Sequence, residues 1–140
     1  MQPSEISPPR RRRVLVVDDE PAFVELMTDV LAGLPVTVDV AENGREAVEA
    51  VRRDAPDVVM LDINLPVMSG LEALKHIREL DPTLPVLLVT ATDYRSVSAG
   101  LSAGVFGYLP KPMDVHYVTQ LVGLALRSRA DDVARAGRAR

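Results

Sequence analysis

The sequence predicts an α/β fold in which a five-stranded parallel sheet is covered on both faces by helices. Short apolar runs alternate five times with longer segments of helical periodicity, a pattern typical of parallel strands joined by crossover helices. Three of the runs are apolar on both faces, as expected for strands buried inside such a sheet. The runs cover residues 14–17, 36–40, 58–61, 86–89 and 105–109.

The gaps between these strands are expected to be helical, because apolar residues recur in them three or four positions apart. The fourth helix is rich in serine and glycine and is therefore weak on intrinsic propensity. The predicted helices lie between Phe23 and Leu34, after Asn43-Gly44, from Gly70 to about Asp81, at about 93–103 and at about 114–128.

Length and composition indicate one globular domain. A chain of 140 residues is long enough for one full core, and 47% hydrophobic with 26% charged residues excludes a disordered or membrane-spanning chain. The absence of cysteine excludes disulfides and thiolate metal sites. With no secretory signal and a net charge of -4, we expect a cytoplasmic protein that binds neither membranes nor nucleic acid directly.

The two ends of the chain are expected to be tails. Residues 1–12 and 129–140 are rich in proline, arginine and alanine, and they flank a predicted domain of residues 13–128. We favour solvated tails over a basic arm that touches an acidic partner or nucleic acid.

Functional side chains collect where the predicted strands end. The first strand ends in Asp18-Asp19-Glu20, the third in Asp62 and the fourth in Thr90, and Lys111 follows the fifth. In an open parallel sheet, sites form beyond the carboxyl ends of the strands. Each residue alone has an ordinary explanation as a helix cap, turn residue or loop lysine. Together, three acids, a hydroxyl and an ammonium group should meet at one edge.

This combination suits phosphoryl transfer. Neighbouring carboxylates stay ionised only beside positive charge, and a set of oxygen ligands without histidine or cysteine favours a hard cation such as Mg²⁺. Asp62 would be the nucleophile that forms an aspartyl-phosphate. Lys111 would neutralise charge on the transferred oxygens, and Thr90 would donate a hydrogen bond to one of them.

The chain resembles the receiver domain of two-component response regulators, of the chemotaxis-regulator type, over roughly residues 13–128. Each motif is weak by itself, but five of them occur in the family's order and at its intervals. They are the acidic pair Asp18-Asp19, the phosphoacceptor Asp62, the turn Asn64–Gly70, the pair Thr90-Ala91, and the segment Tyr108–Pro112 with its switch aromatic, lysine and proline.

The resemblance implies a flavodoxin-like, doubly wound sheet with strand order 2-1-3-4-5. It implies Mg²⁺ held by Asp19, Asp62 and the backbone carbonyl of Asn64, with Asp18 acting mainly through water. It also implies a cis peptide bond between Lys111 and Pro112, which X-Pro bonds tolerate far better than others.

The resemblance further implies a phosphodonor and a switch. The donor would be a phosphohistidine of a sensor histidine kinase or phosphotransfer protein. The chain would catalyse its own phosphorylation and dephosphorylation rather than turn over an external substrate. Thr90 would move toward the phosphoryl group and Tyr108 would turn inward, which would bias the face formed by the fourth helix, fifth strand and fifth helix.

A second apolar stripe on the fifth helix suggests where a partner binds. Tyr117, Leu121 and Leu124 recur at helical spacing, beside the stripe expected to face the core. Family members that dimerise through charged pairs on this face usually carry charges at positions 117 and 121. The stripe is either an interface for a second copy or an effector protein, or part of a wide core face or of the packing under the C-terminal tail.

Other functions fit the residues less well. A receiver-like module that binds partners without phosphorylation should have lost some of the five site residues. A nucleotide-binding protein would need a phosphate-cradling loop after the first strand, and no such glycine motif is present. A haloacid-dehalogenase-type phosphatase needs its two aspartates two residues apart, whereas Asp18 and Asp19 are adjacent. Whether the chain is a stand-alone receiver or a piece of a longer regulator stays open.

Overall fold

The structure, a computed structural model, describes residues 11–91 and 104–138. Over these residues it contains one sheet of five parallel strands in the order β2-β1-β3-β4-β5, which confirms the predicted fold and topology. The predicted fourth helix, at about 93–103, lies outside the described residues. The strands are β1 (Arg12–Val17), β2 (Val36–Ala41), β3 (Val58–Asp62), β4 (Val86–Thr90) and β5 (Gly107–Pro110).

Four helices are described, and local capping signals set where most of them begin. Asn43 accepts a hydrogen bond from the N–H of Glu46, and Ser69 accepts one from the N–H of Glu72, so each cap satisfies a donor of the first turn. Pro21 opens the first helix, where its missing N–H costs nothing. The helices are α1 (Pro21–Leu31), α2 (Gly44–Asp54), α3 (Gly70–Leu80) and the C-terminal helix (Val115–Arg138).

The core lies on both faces of the sheet because alternate strand residues point to opposite sides. Leu15 and Val17 of β1 pack with α2 and α3, whereas Val14 and Val16 pack with α1 and the C-terminal helix. Every residue of β3 and β4 is buried, as expected for central strands covered on both faces.

The C-terminal helix continues well past Ser128, the predicted end, and reaches Arg138. Residues 129–138, expected to belong to a tail, are therefore helical. The guanidinium of Arg129 pairs with the carboxylate of Asp81 and donates to the Thr83 hydroxyl at 3.0 Å, which ties the helix to the turn before β4. The alanine and arginine that suggested a tail are also strong helix formers.

The start of the chain also differs slightly from the prediction. β1 begins at Arg12, which was expected to belong to the N-terminal tail. Arg12 donates to the backbone carbonyl of Leu126 at 3.0 Å, and Arg13 pairs with Asp39 at 2.9 Å. These arginines therefore hold secondary-structure elements together. Over the described ranges, none of the helices combines the length and apolar character that a bilayer crossing requires.

Candidate functional site

The predicted site residues meet at the carboxyl edge of the sheet because neighbouring strands end in register. Val17 of β1 pairs with Leu61 of β3, so the residues that follow them, Asp18 and Asp62, lie side by side. Each lies two positions after a strand residue that packs on the side of α1 and the C-terminal helix, so its side chain points to that face of the sheet.

On the other side of β3, the ends of β4 and β5 carry the hydroxyl of Thr90 and the ammonium group of Lys111. Thr90 ends β4 opposite Pro110 of β5, and the N–H of Lys111 donates to the Thr90 carbonyl at 2.9 Å. Thr90 is buried at the site. The peptide bond between Lys111 and Pro112 is cis, as the family resemblance implied.

The three carboxylates form a compact cluster. One oxygen each from Asp18, Asp19 and Asp62 lies within 4.8 Å of the other two. Asp18 and Asp62 are only 1% and 6% exposed, whereas Asp19 is open to solvent. A buried pair of oxygen ligands with a third at the solvent side fits a hard divalent cation that keeps several waters.

Backbone donors orient the two buried carboxylates. The N–H of Glu20 donates to Oδ1 of Asp18, and the N–H of Asn64 donates to Oδ1 of Asp62, both at 2.9 Å. Each aspartate thus binds the backbone two residues further on, a local geometry that short acidic side chains favour. The Oδ2 atom of each points toward Lys111.

Lys111 is the positive charge of the site. Its Nζ lies 2.9 Å from Oδ2 of Asp18, 3.5 Å from Oδ2 of Asp62 and 3.7 Å from Oε2 of Glu20. Burial lowers the pKa of Lys111, but the hydrogen bond to Asp18 and the charges of both aspartates outweigh burial and raise it. The lysine is therefore fully protonated at neutral pH.

The pKa of Asp62 is raised above its ordinary value. Burial is the largest cause, and the charge of Asp18 adds to it. The N–H of Asn64 and the charge of Lys111 lower the pKa but do not cancel the increase. Burial and the charge of Asp18 thus disfavour the ionised form of Asp62, and an additional cation at the site would stabilise that form.

Tyr108 lies on β5 opposite Leu88 and is half-buried. It packs against the core cluster on the α2 and α3 side of the sheet. Its neighbours Gly107 and Pro110 line a groove together with Tyr117 of the C-terminal helix. The predicted switch aromatic therefore borders the surface on which a partner was expected.

The predicted second stripe of the C-terminal helix is divided. Tyr117 and Leu124 are 44% and 52% exposed, but Leu121 is only 9% exposed and belongs to the core. A Cβ atom on Gly107 would lie 3.0 Å from Cδ2 of Leu121, so this leucine packs directly on the β5 backbone. The interface interpretation is thus wrong for Leu121, and the core alternative holds for it.

Two residues near the lysine were given no role in the site by the sequence. Glu20 carries the third carboxylate within 4.0 Å of Nζ, and the ring of Phe23 has its centroid 4.4 Å from the same atom. Phe23 had only the signature of an apolar helix position. Its place in the first turn after the acidic pair was the one available signal.

Comparisons with known proteins agree with this geometry. Residues 14–123 match the family model of the response regulator receiver domain. The probable transcriptional regulatory protein TcrX of Mycobacterium tuberculosis is 44% identical over 115 residues, covering 81% of this chain and 49% of that protein. The DNA-binding transcriptional regulator NtrC of Escherichia coli is 39% identical over 118 residues, covering 84% and 25%.

Solved structures show the same fold. The signal receiver domain of a putative LuxO repressor protein from Vibrio parahaemolyticus aligns with a TM-score of 0.83 and 29% identity, covering 89% of this chain and 98% of that one. The chemotaxis protein CheY4 from Vibrio cholerae aligns with a TM-score of 0.75 and 28% identity, covering 84% and 100%.

The present chain spans about half of TcrX and about a quarter of NtrC. The family match covers most of the chain and includes all five strands except the first two residues of β1. This chain therefore belongs to the response regulator receiver domain family of two-component systems.

Proposed function

We propose that this chain accepts a phosphoryl group on Asp62 from the phosphohistidine of a sensor histidine kinase or phosphotransfer protein. The observation that carries the proposal is the arrangement of Asp62, a buried carboxylate at an open sheet edge with Lys111 3.5 Å from its Oδ2. An oxygen of Asp62 attacks the phosphorus, the P–N bond breaks, and its electron pair returns to the imidazole.

The remaining site residues stabilise charge during this transfer. Lys111 places an ammonium group where negative charge develops on the phosphoryl oxygens. Asp19, Asp62 and the backbone carbonyl of Asn64 would hold Mg²⁺, with Asp18 acting mainly through water. When bound, Mg²⁺ supplies further positive charge for the phosphoryl oxygens and offsets repulsion among the carboxylates.

The response to phosphorylation follows from the positions of Thr90 and Tyr108. The Thr90 hydroxyl donates to the phosphoryl group, and Tyr108 shifts on the neighbouring strand. Because Tyr108 and Tyr117 line one groove, this movement changes the surface between β5 and the C-terminal helix. A second copy or an effector protein binds there in the cytoplasm, through the exposed Tyr117 and Leu124. Nucleic acid is not bound directly by this segment.

Phosphoryl acceptance is tested by intact mass. We expect the protein, incubated with Mg²⁺ and acetyl phosphate, to gain the mass of one phosphoryl group, and to gain none when the metal is chelated. Asp62→Asn should gain none under either condition. A wild-type protein that stays at its unmodified mass, or an Asp62→Asn variant that gains as much, would contradict the proposal.

Magnesium should also stabilise the folded protein, because the folded chain brings the three carboxylates together and the unfolded chain does not. At a free concentration 100 times the Kd, the gain in unfolding free energy is about 2.7 kcal/mol. A thermal melt with and without Mg²⁺, at matched ionic strength, measures it. Asp19→Asn removes one exposed ligand and should reduce the gain. If Mg²⁺ stabilises the wild type and Asp19→Asn equally, the ion binds at a site that does not include Asp19.

A further inference from the structure

An aromatic ring covers the ammonium group of the site. The centroid of the Phe23 ring lies 4.4 Å from Nζ of Lys111, well inside the distance at which a cation is attracted to a ring face. The ring stands on the first turn of α1, whereas the lysine directly follows β5, which is remote from α1 in the sequence. Their contact therefore fixes the distance between two elements that meet at the site.

We propose that Phe23 is a positioning residue that holds the Lys111 ammonium over Asp18 and Asp62. The inference rests on the proposed phosphoryl transfer and goes beyond it, because Phe23 itself touches no reacting atom. It assigns to an apolar helix residue the task of restraining the one ammonium group described at this site.

The restraint matters because the ammonium has a competing partner. Nζ lies 2.9 Å from Oδ2 of Asp18, deep in the site, but also 3.7 Å from Oε2 of Glu20, whose side chain is 63% exposed. A lysine on its flexible four-carbon stem can turn between such acids. The negative face of the ring favours the charged nitrogen where it now lies.

The ring and the carboxylates also belong to the same side of the sheet. Asp18 and Asp62 each stand two positions after a strand residue that packs against α1, so their side chains point to that face, and Phe23 packs against the same core cluster. Because the core holds the ring in place, the ring can restrain the flexible side chain of Lys111. If the ring is replaced by an aliphatic side chain, the lysine can reach Glu20 more often and spends less time beside Asp62.

The effect is expected on the chemistry at Asp62. Positioned charge stabilises a transition state only when it is already in place. Loss of the ring contact should therefore slow phosphorylation by acetyl phosphate about threefold, the factor that corresponds to an ordinary cation–π contact. The Mg²⁺ requirement should be unaltered, because Phe23 offers no metal ligand.

The test compares Phe23→Leu with Phe23→Tyr, which keeps an aromatic face. Phosphorylation rates are measured by intact mass, and urea unfolding gives the folded fraction by which each rate is corrected. Phe106→Leu is the matched control, since it makes the same change in a partly exposed ring. Phe106 directly precedes β5 and therefore lies at the amino end of that strand, whereas the site lies at the carboxyl ends. We expect Phe23→Leu to be slow, and Phe23→Tyr and Phe106→Leu to match the wild type.

A spectroscopic readout separates positioning from simple packing. The ring should shift the Lys111 ε-methylene proton resonances upfield, and the shift should vanish in Phe23→Leu and persist in Phe23→Tyr. Equal corrected rates for wild type and Phe23→Leu, or wild-type resonances that lack the shift, would overturn the proposal. If no phosphoryl group is accepted by any protein, the proposed function fails, and the ring shift alone then decides whether Phe23 positions Lys111.

Discussion

Replacing Asp62 with asparagine is expected to stabilise the folded protein while abolishing phosphoryl acceptance. The carboxylate is 6% exposed, and its pKa is raised by burial and by the charge of Asp18, so the folded state carries its ionised form at a cost. Asparagine has nearly the same shape, and its carbonyl oxygen can still accept the N–H of Asn64. Because a raised folded pKa means that ionisation opposes folding, we expect the free energy of unfolding to rise at pH 7 by about 1 kcal/mol, an ordinary size for the effect of one substitution.

The pH dependence of this gain has a defined sign. Because the folded pKa of Asp62 lies above its unfolded value, ionisation destabilises the folded state at pH values above the folded pKa. That cost disappears as the pH falls through the folded pKa, and it is absent below the unfolded one. The pKa of Lys111 is also raised, but its stabilising contribution is lost only at strongly alkaline pH, so it does not affect the acidic range.

Urea unfolding of both proteins between neutral pH and about pH 3 measures the difference. The stability gap should be widest at pH 7 and should close toward the acid end. Asp29→Asn, an exposed carboxylate on α1 outside the site, is the matched control and should change stability by less than about 0.5 kcal/mol at any pH. An Asp62→Asn protein less stable than the wild type at pH 7 would contradict the argument.

Much of the site could be predicted from the sequence because parallel strands place their carboxyl ends at one edge. Asp18, Asp62 and Lys111 are far apart in the chain, yet each follows an apolar run, and run order alone predicts a shared edge. The partner of the lysine could not be obtained in this way. Nζ is closer to Asp18 than to Asp62, a difference that depends on backbone hydrogen bonds of single turns.

The C-terminal helix shows where periodicity stops being informative. Its pattern contains two apolar stripes, and either could face the core. Leu121 is buried because Gly107 has no side chain and lets it approach the β5 backbone. The far end of the helix was missed for a different reason. The composition of these residues is typical of a tail, and the ion pair between Arg129 and Asp81 that ties the helix to the domain joins residues remote in sequence.

Substituting Gly70 with alanine is expected to damage both the fold and the reaction. A Cβ atom at this position would lie 2.2 Å from the backbone oxygen of Asp62 and 2.8 Å from Cα of Ile63. Both atoms belong to the backbone, so no side-chain rotation removes the clash. The start of α3 must instead move away from the end of β3, where the Gly70 N–H now donates to the Ile63 carbonyl at 2.9 Å.

We expect the clash to lower the free energy of unfolding by about 1–3 kcal/mol, the usual range for overpacking. The reaction should suffer more, because a shift of Asp62 by about 1 Å costs up to roughly a hundredfold in rate. Phosphorylation of the folded fraction by acetyl phosphate, followed by intact mass, measures this loss separately from unfolding.

Gly123→Ala provides the matched control because it makes the same change within a helix where a Cβ meets nothing within 4 Å. Alanine is favoured over glycine in a helix by about 1 kcal/mol, so this variant should be more stable than the wild type and phosphorylated at the same rate. Gly70 is the first residue of α3, and helix propensity gives no reason for alanine to be destabilising there. If Gly70→Ala lowers the free energy of unfolding and Gly123→Ala raises it, the difference comes from the close approach of α3 to Asp62. If both substitutions raise the free energy of unfolding, α3 has room to move without disturbing the phosphoacceptor.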